Sequence, residues 1–354
     1  MTALEKLRAF LPDEQSAALI TSEVNRRYLS GFPSSAGAVV VTCDKALLLL
    51  DFRYYEAASK RVQPPMQVMR FSRLIDELNN IFLKKNIQSV YIEDESVTVA
   101  KLHELEESFI PQIRTDGLSA KLSEIRLCKT PDEIDRIITA QRITERAYNE
   151  VLNSLRPGVT EREIAVELEH LIKICGGERV AFDLICITGS NTSLPHGVPG
   201  DRVVKEGDFF TFDIGAVYEG YHSDMTRTVA VGSATDEMRM IYETVLEAHL
   251  KAQRKIIAGN TAADVDIAAR DHIESRGYGE YFGHSTGHGV GLEIHEAPAV
   301  YKNNLTVLKD GMVITDEPGI YLPQKFGVRI EDMFLVQGDS PVDLAKIPKE
   351  LTII

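Results

Sequence analysis

Short apolar runs separated by turn residues fill the first third of the chain, and longer amphipathic segments take over after it. Residues 17–21, 37–42, 46–51 and 89–93 carry compact apolar runs that predict strands, whereas 51–61 and 72–85 read as helices. Positions 39–41 and 47–50 are apolar throughout and Asp44-Lys45 interrupts them, a strand–turn–strand signature. Strands alternating with helices predict an α/β layered domain. Its boundary is expected within 118–129 and is set after residue 122, giving domains 1–122 and 123–354.

The second domain opens on Thr130-Pro131-Asp132-Glu133, which joins a threonine N-cap, a proline in the first turn and a glutamate placed to close a capping box. The helix it starts should stop at Arg156-Pro157-Gly158. Thr160-Glu161-Arg162-Glu163 repeats the capping box and opens a second helix, which should end at Gly176-Gly177. Strands are expected over 181–231, helices from Thr235 and from Thr261 to Gly277, and strands again over 284–336. The order is therefore helix, helix, β-run, twice over. This predicts an α+β domain built from a duplicated ααββ unit whose sheets lie side by side.

The β-runs also repeat at the level of residues. Gly207, Thr211, Asp213 and Gly215 recur as Gly311, Thr315, Glu317 and Gly319 at one constant interval, and each copy is followed by a further acid, Asp224 or Glu331. Thr211 and Asp213 stand two apart on a strand and share a face, with Phe210, Phe212 and Ile214 anchoring the other. A carboxylate in such a place is costly to bury unless paired or bound to a cation. One acid could be matched by Arg227 or Arg329; four on duplicated hairpins call for more positive charge than these β-runs supply. Two divalent metal ions fit better, held by Asp213, Asp224, Glu317, Glu331 and the His288 of Gly287-His288-Gly289-Val290-Gly291. Oxygen ligands plus one imidazole suit Mn²⁺, Co²⁺, Fe²⁺ or Zn²⁺ rather than Mg²⁺ or Ca²⁺. The absence of nearby cysteine argues against a structural zinc site.

His196, in the turn before the first acid hairpin, and His295, shortly after His288, bracket these strands and are candidates for contact with substrate or transition state. His284 reads as a supporting residue. Arg329 shares a strand face with Glu331 and is expected to orient that carboxylate. Asp183, Asp201, His222 and Asp316 receive no role from the pattern.

Composition narrows the class without changing it. The chain is 44% hydrophobic and 26% charged, as a soluble globular protein is. Its net charge of −14, from 39 basic and 53 acidic residues, disfavours nucleic acid or an anionic membrane as partner. No run approaches the roughly 18 apolar residues of a membrane span. Met1-Thr2-Ala3-Leu4-Glu5-Lys6-Leu7-Arg8 lacks the apolar core of a leader. The cysteines Cys43, Cys128, Cys175 and Cys186 are scattered, as reduced thiols of a cytoplasmic protein would be.

At these residues the chain resembles the pita-bread metallopeptidase family, which includes methionine aminopeptidases, Xaa-Pro aminopeptidases, prolidases and the metal-free creatinases. The motifs are Leu194-Pro195-His196-Gly197, Thr211-Phe212-Asp213-Ile214-Gly215 with Ser223-Asp224-Met225-Thr226-Arg227-Thr228, Thr286-Gly287-His288-Gly289, Glu317-Pro318-Gly319-Ile320-Tyr321 and Arg329-Ile330-Glu331-Asp332. The match covers about 125 to 354. The resemblance implies that Asp213 holds one metal, that Asp224 and Glu331 bridge both, that His288 and Glu317 hold the other, and that His196 and His295 line the substrate site. The first domain is similar to the creatinase-type N-terminal domain through Asn25-Arg26-Arg27-Tyr28-Leu29-Ser30-Gly31-Phe32 and Asp51-Phe52-Arg53-Tyr54-Tyr55-Glu56. This pairing implies an Xaa-Pro aminopeptidase or a prolidase, commonly a homodimer, rather than a methionine aminopeptidase.

The resulting expectation is a cytoplasmic, dinuclear metallo-aminopeptidase, with Mn²⁺ or Co²⁺ ahead of Zn²⁺ or Fe²⁺. It removes the residue before proline from proline-containing peptides through a metal-bridging hydroxide, with Glu317 as proton shuttle. A prolidase confined to Xaa-Pro dipeptides is the nearest alternative. A non-catalytic peptide-binding module and a creatinase-like amidinohydrolase are disfavoured because every ligand residue is present. Two departures from the family pattern stand out. Asp316 occupies a position more often apolar, and its side chain is expected to face away from the metals. Ala299 stands where some microbial prolidases carry an arginine for the dipeptide carboxylate, which favours longer substrates.

Overall fold

Central strands buried on both faces explain the first unit. A computed structural model describes Met1–Ile354, and the chain divides into two compact units, Met1–Arg126 and Leu127–Ile354. In the first, a six-stranded sheet runs in the order Met66–Arg70, Ala46–Leu50, Ala38–Val41, Ser16–Ile20, Ser89–Ile92, Gln112–Arg114. Ala38–Val41 is antiparallel to both neighbours and the other pairings are parallel. Alternate residues feed two apolar layers: Ala18, Ile20, Val39, Val41, Leu48 and Leu50 on one side, Ala17, Leu19, Val40, Leu47 and Leu49 on the other. Sheets covered by helices on both faces need continuous apolar strands, which is why those runs stand out in the sequence.

The two outer strands, Met66–Arg70 and Gln112–Arg114, leave no such run in the sequence. They are partly exposed edges and carry polar residues. The helices Glu23–Ser30 and Val99–Ser108 bury only one or two residues each and are equally faint in the apolar pattern. The boundary expected after residue 122 falls inside a helix, Leu118–Leu127, rather than in a linker.

The second unit is the expected duplication. Helices Pro131–Val151 and Glu161–Ile174 precede one set of strands, and Asp236–Gln253 and Ala262–Ser275 precede the other. Thr130, Thr160 and Thr261 each close a capping box at a helix start, while Thr235 caps through its side chain alone. The first half forms the antiparallel sheet Ile185–Thr188, Phe209–Ile214, Met225–Ala230. The second half forms Glu296–Val300, Gly287–Gly289, Val313–Asp316, Asp332–Leu335, Val342–Asp343, with the hairpin Gly319–Leu322/Phe326–Arg329 beside it. Thr226 and Glu331 exchange backbone hydrogen bonds, so the two sheets meet edge to edge at their acid-bearing strands. Each half keeps its own apolar core. All four cysteines are free, and no helix is long and apolar enough to cross a membrane.

Candidate metal centre

Asp213 lies near the end of Phe209–Ile214, and Asp224 immediately precedes Met225–Ala230. Those strands pair with Asp213 opposite Thr226 and Ile214 opposite Met225, which brings the two acids to one end of the hairpin. Gly215 permits the close approach of the two chain segments: a Cβ there would stand 2.0 Å from the Ser223 carbonyl oxygen. In the second half Glu317 follows Val313–Asp316 and Glu331 precedes Asp332–Leu335, strands that pair Asp316 with Asp332. The duplicated hairpins thus deliver their acids to a common edge.

His288 enters from the third strand. Its backbone N–H donates to Thr315 Oγ1 at 3.1 Å. Its Nδ1 lies 3.0 Å from the Gly289 carbonyl, and donation there leaves Nε2 as acceptor. Nε2 points at Asp224 Oδ2, 3.5 Å away, and Glu317 Oε1, 3.6 Å away. Burial pushes His288 down to about 4, so the ring is neutral and these contacts are not ion pairs. Potential ligand atoms of Asp224, His288 and Glu331 all lie within 4.8 Å of one another.

Charge is badly matched among these groups. Burial, and then Asp213 and Glu317, push Asp224 well above the usual carboxylate range. Burial, and then the other acids, do the same to Glu331, and burial raises Glu317 to about 8. Arg329 is the only lysine or arginine lining the cavity, and it is already engaged. Its Nη2 donates to Asp213 Oδ2 at 2.5 Å, its Nε to Thr226 Oγ1 at 3.1 Å, and its Nη1 to Tyr321 Oη at 2.8 Å and the Pro195 carbonyl at 3.2 Å. Asp213 Oδ1 is buried with no hydrogen-bond partner. An orphaned carboxylate oxygen, an imidazole lone pair aimed at carboxylates, and acids short of cations are what a divalent-ion site leaves when described without its ions.

The cavity has a volume of about 570 Å³ and gathers His196, Asp213, Asp224, His288, His295, Glu317 and Glu331. Every residue expected at the site is therefore present in it. The His295 ring stands edge-on to His288, centroids 4.4 Å apart. His196 is exposed on its loop. His284 also lines the cavity: its Nε2 lies 2.9 Å from Tyr321 Oη, and burial lowers it to about 4. Phe182, Ile185, Pro195, Ile294 and Ala299 supply apolar wall.

Arg329 does not chiefly orient Glu331, the role expected for it. It is bonded to Asp213, and Glu331 is held instead by the Thr226 hydroxyl, 2.7 Å from Oε2. Thr226, Thr315 and Tyr321 receive no role from the sequence pattern. Each lies within a motif already noted, but hydroxyls inside strands carry no pattern of their own. Arg227 reaches no site carboxylate: it pairs with Asp332 at 2.6 Å and donates to the backbone carbonyl of Glu331 at 2.8 Å.

Asp316 does face away from the cavity, but it is not idle. It is fully buried, and His249, also fully buried, stands between it and Asp332, with Nδ1 3.2 Å from Asp316 Oδ2 and Nε2 3.3 Å from Asp332 Oδ2. Burial raises Asp332, but Arg227, His249 and Lys349 outweigh it and hold that acid well below the usual range. Burial, then Asp332 and Glu317, push Asp316 well above it.

Comparison with known proteins places this arrangement. Residues 135–338 match the model described as metallopeptidase family M24, and residues 4–128 match the creatinase/prolidase N-terminal domain. The Xaa-Pro dipeptidase of Pyrococcus furiosus is 40% identical over 98% of this chain and 99% of that protein. Among solved structures, the Xaa-Pro dipeptidase from Bacillus anthracis superposes with a TM-score of 0.95 at 40% identity, covering 99% of each chain. The X-Pro aminopeptidase from Thermotoga maritima superposes with a TM-score of 0.91 at 35% identity, covering 100% of each.

Proposed function

The chain belongs to metallopeptidase family M24, and from that premise we propose that it is an Xaa-Pro aminopeptidase, removing the residue before proline from peptides longer than a dipeptide. The observation that carries the hydrolytic reading is the convergence of Asp213, Asp224, His288, Glu317 and Glu331 on one cavity with Arg329 as their only guanidinium. Asp213 would hold one metal, Asp224 and Glu331 would be shared by both, and His288 and Glu317 would hold the other. Two divalent ions, when bound, supply Lewis-acid chemistry: they polarise the scissile carbonyl and lower the pKa of a water far below its bulk value of about 15.7. Manganese or cobalt is the first choice, with zinc or iron as alternatives.

The rest is done by side chains. Glu317 takes up the proton that the attacking water loses and passes it to the proline nitrogen as that bond breaks. His196 and His295 donate hydrogen bonds to the substrate and to the charge that develops on its carbonyl oxygen. Arg329 fixes Asp213 through Oδ2 and leaves Oδ1 free to ligate. Proline offers no N–H to recognise, so an apolar wall of the kind formed by Phe182, Ile185 and Ile294 suits its ring.

Preference for longer peptides is supported by what the cavity lacks. A dipeptide carries its carboxylate into the site. Arg329 is occupied by Asp213 and Tyr321, and the wall at position 299 is an alanine. A tripeptide moves that charge one residue outward. The dipeptidase names of two relatives favour the rival reading, so the comparison is direct: kcat/KM on Xaa-Pro-Yaa should exceed that on Xaa-Pro by about ten-fold or more, a difference of one weak charge contact. Cleavage confined to the dipeptide would reverse the assignment. Activity that survives complete metal stripping would end the metallopeptidase reading altogether. We further propose a cytoplasmic homodimer, on the strength of its free cysteines and its two-domain pairing.

A further inference from the structure

The Glu161 carboxylate is fully buried and lies outside the lining of the metal-site cavity, yet it ties down the loop that carries His196 at both ends. Glu161 is the first residue of the helix Glu161–Ile174. Its Oε1 accepts the backbone N–H of Thr188 and the side-chain amide of Asn191, both at 2.8 Å, and its Oε2 accepts the backbone N–H of Gly200 at 2.9 Å. The backbone adds Glu161 N–H to the Arg202 carbonyl and Arg162 N–H to the Gly200 carbonyl. Between these anchors the chain makes the short helical turn Gly189–Ser193 and then runs through Leu194-Pro195-His196-Gly197, with Leu194, His196 and Val198 exposed. The loop is held further along by Arg329 Nη1 on the Pro195 carbonyl at 3.2 Å and by Gly327 N–H on Thr192 Oγ1 at 2.9 Å, while Glu161 holds its two ends. A carboxylate accepting three N–H bonds in a buried place, next to the positive end of its own helix, is a strong fixed clamp.

We infer that Glu161 is a positioning residue for the reaction: it sets where His196 stands in the cavity, by closing the loop 188–200 at both ends. This rests on the reading of His196 as a substrate contact. Glutamine at 161 would keep one acceptor for Thr188 and Asn191 but would turn an NH₂ toward the Gly200 N–H, donor against donor. The loop would then be released on the side that follows His196.

The test is a double-mutant cycle on the metal-loaded full chain, with E161Q, H196A and the double variant assayed on an Xaa-Pro-Yaa tripeptide, and thermal unfolding measured alongside. E161Q should lower kcat/KM by about ten-fold in the wild-type background and less than about two-fold when His196 is already absent, while the fall in Tm is the same in both backgrounds. Equal fold-losses in the two backgrounds would overturn the inference, since Glu161 would then act elsewhere; so would a lowered Tm with kcat/KM unchanged. Loss of activity on H196A is the separate check on the premise. If that variant turns over like wild type, the role of His196 is wrong and the inference goes with it. Should E161Q not fold, N191A removes one arm of the clamp with the carboxylate intact and runs through the same cycle, with the same outcomes deciding.

Discussion

At the scale of single residues, neighbouring acids in one strand pair are driven in opposite directions by what faces them. Asp332 is met by Arg227 and Lys349, each at 2.6 Å, and stays ionised; Asp316, one register position across, has His249 beside it and no hydrogen bond to either carboxylate oxygen. Because its native-state pKa is raised above the unfolded value of about 3.9, Asp316 lets wild type lose stability relative to a neutral isostere as pH climbs past that unfolded value. In metal-stripped protein Asp316→Asn should therefore be more stable than wild type at neutral pH by about 1–3 kcal/mol, with the gap closing below about pH 4. Denaturant melts across that range give the answer. A gap that does not change with pH would mean that Asp316 is not the titrating cause. The resemblance to the family marks Asp316 as a departure, but nothing in the sequence points to His249, which is distant in the chain and matches no motif.

At the scale of elements, strands must approach one another closely for side chains from three of them to share a cavity. Gly287 is the tightest case in the strand that bears His288: a Cβ there would stand 2.1 Å from the Thr315 carbonyl oxygen. Alanine at 287 has to push Gly287–Gly289 away from Val313–Asp316, stretching the bond from His288 N–H to Thr315 Oγ1. Gly287→Ala is expected to weaken metal binding by roughly ten-fold or more, beyond any loss of stability, because ligand geometry tolerates displacements of only about 0.5 Å. Calorimetric titration with Mn²⁺ on protein confirmed folded by circular dichroism would show it. Unchanged affinity would indicate that the strand relaxes at no cost to the site. Helix starts were the most legible elements, because a capping box is a local device: Thr130 with Glu133 and Thr160 with Glu163 need nothing distant. Edge strands were the least legible, since solvent on one side removes the apolar signal.

At the scale of the whole molecule, metal, protons and stability are linked. In the metal-free protein Glu317 sits at about 8, and Asp224 and Glu331 are raised as well, so the site carries protons at neutral pH that ligation must displace. His288, lowered to about 4, is already neutral and contributes none above that pH. Affinity for Mn²⁺ should tighten as pH rises through neutrality, with proton release at pH 7 seen as a dependence of binding enthalpy on buffer ionisation. The Tm increase on adding metal should grow over the same interval, because an ion that binds only the folded state stabilises it by an amount that rises with the logarithm of its affinity. A metal-induced Tm shift that is flat from pH 6 to 9 would contradict the proton-loaded site.

What the sequence determined by itself was local or repetitive: helix starts, buried strands, and a duplicated acid phrase whose ligand candidates all reach one cavity. Local chemistry and strand periodicity act over a few residues and survive in a linear string. Tertiary structure alone decided which partner each acid received. Arg329 went to Asp213 rather than to Glu331, Arg227 to Asp332, and Glu161 to the loop of His196. These pairings join residues far apart in the chain. They are settled by how two half-domains meet edge to edge, and by the cost of leaving a buried charge without a partner.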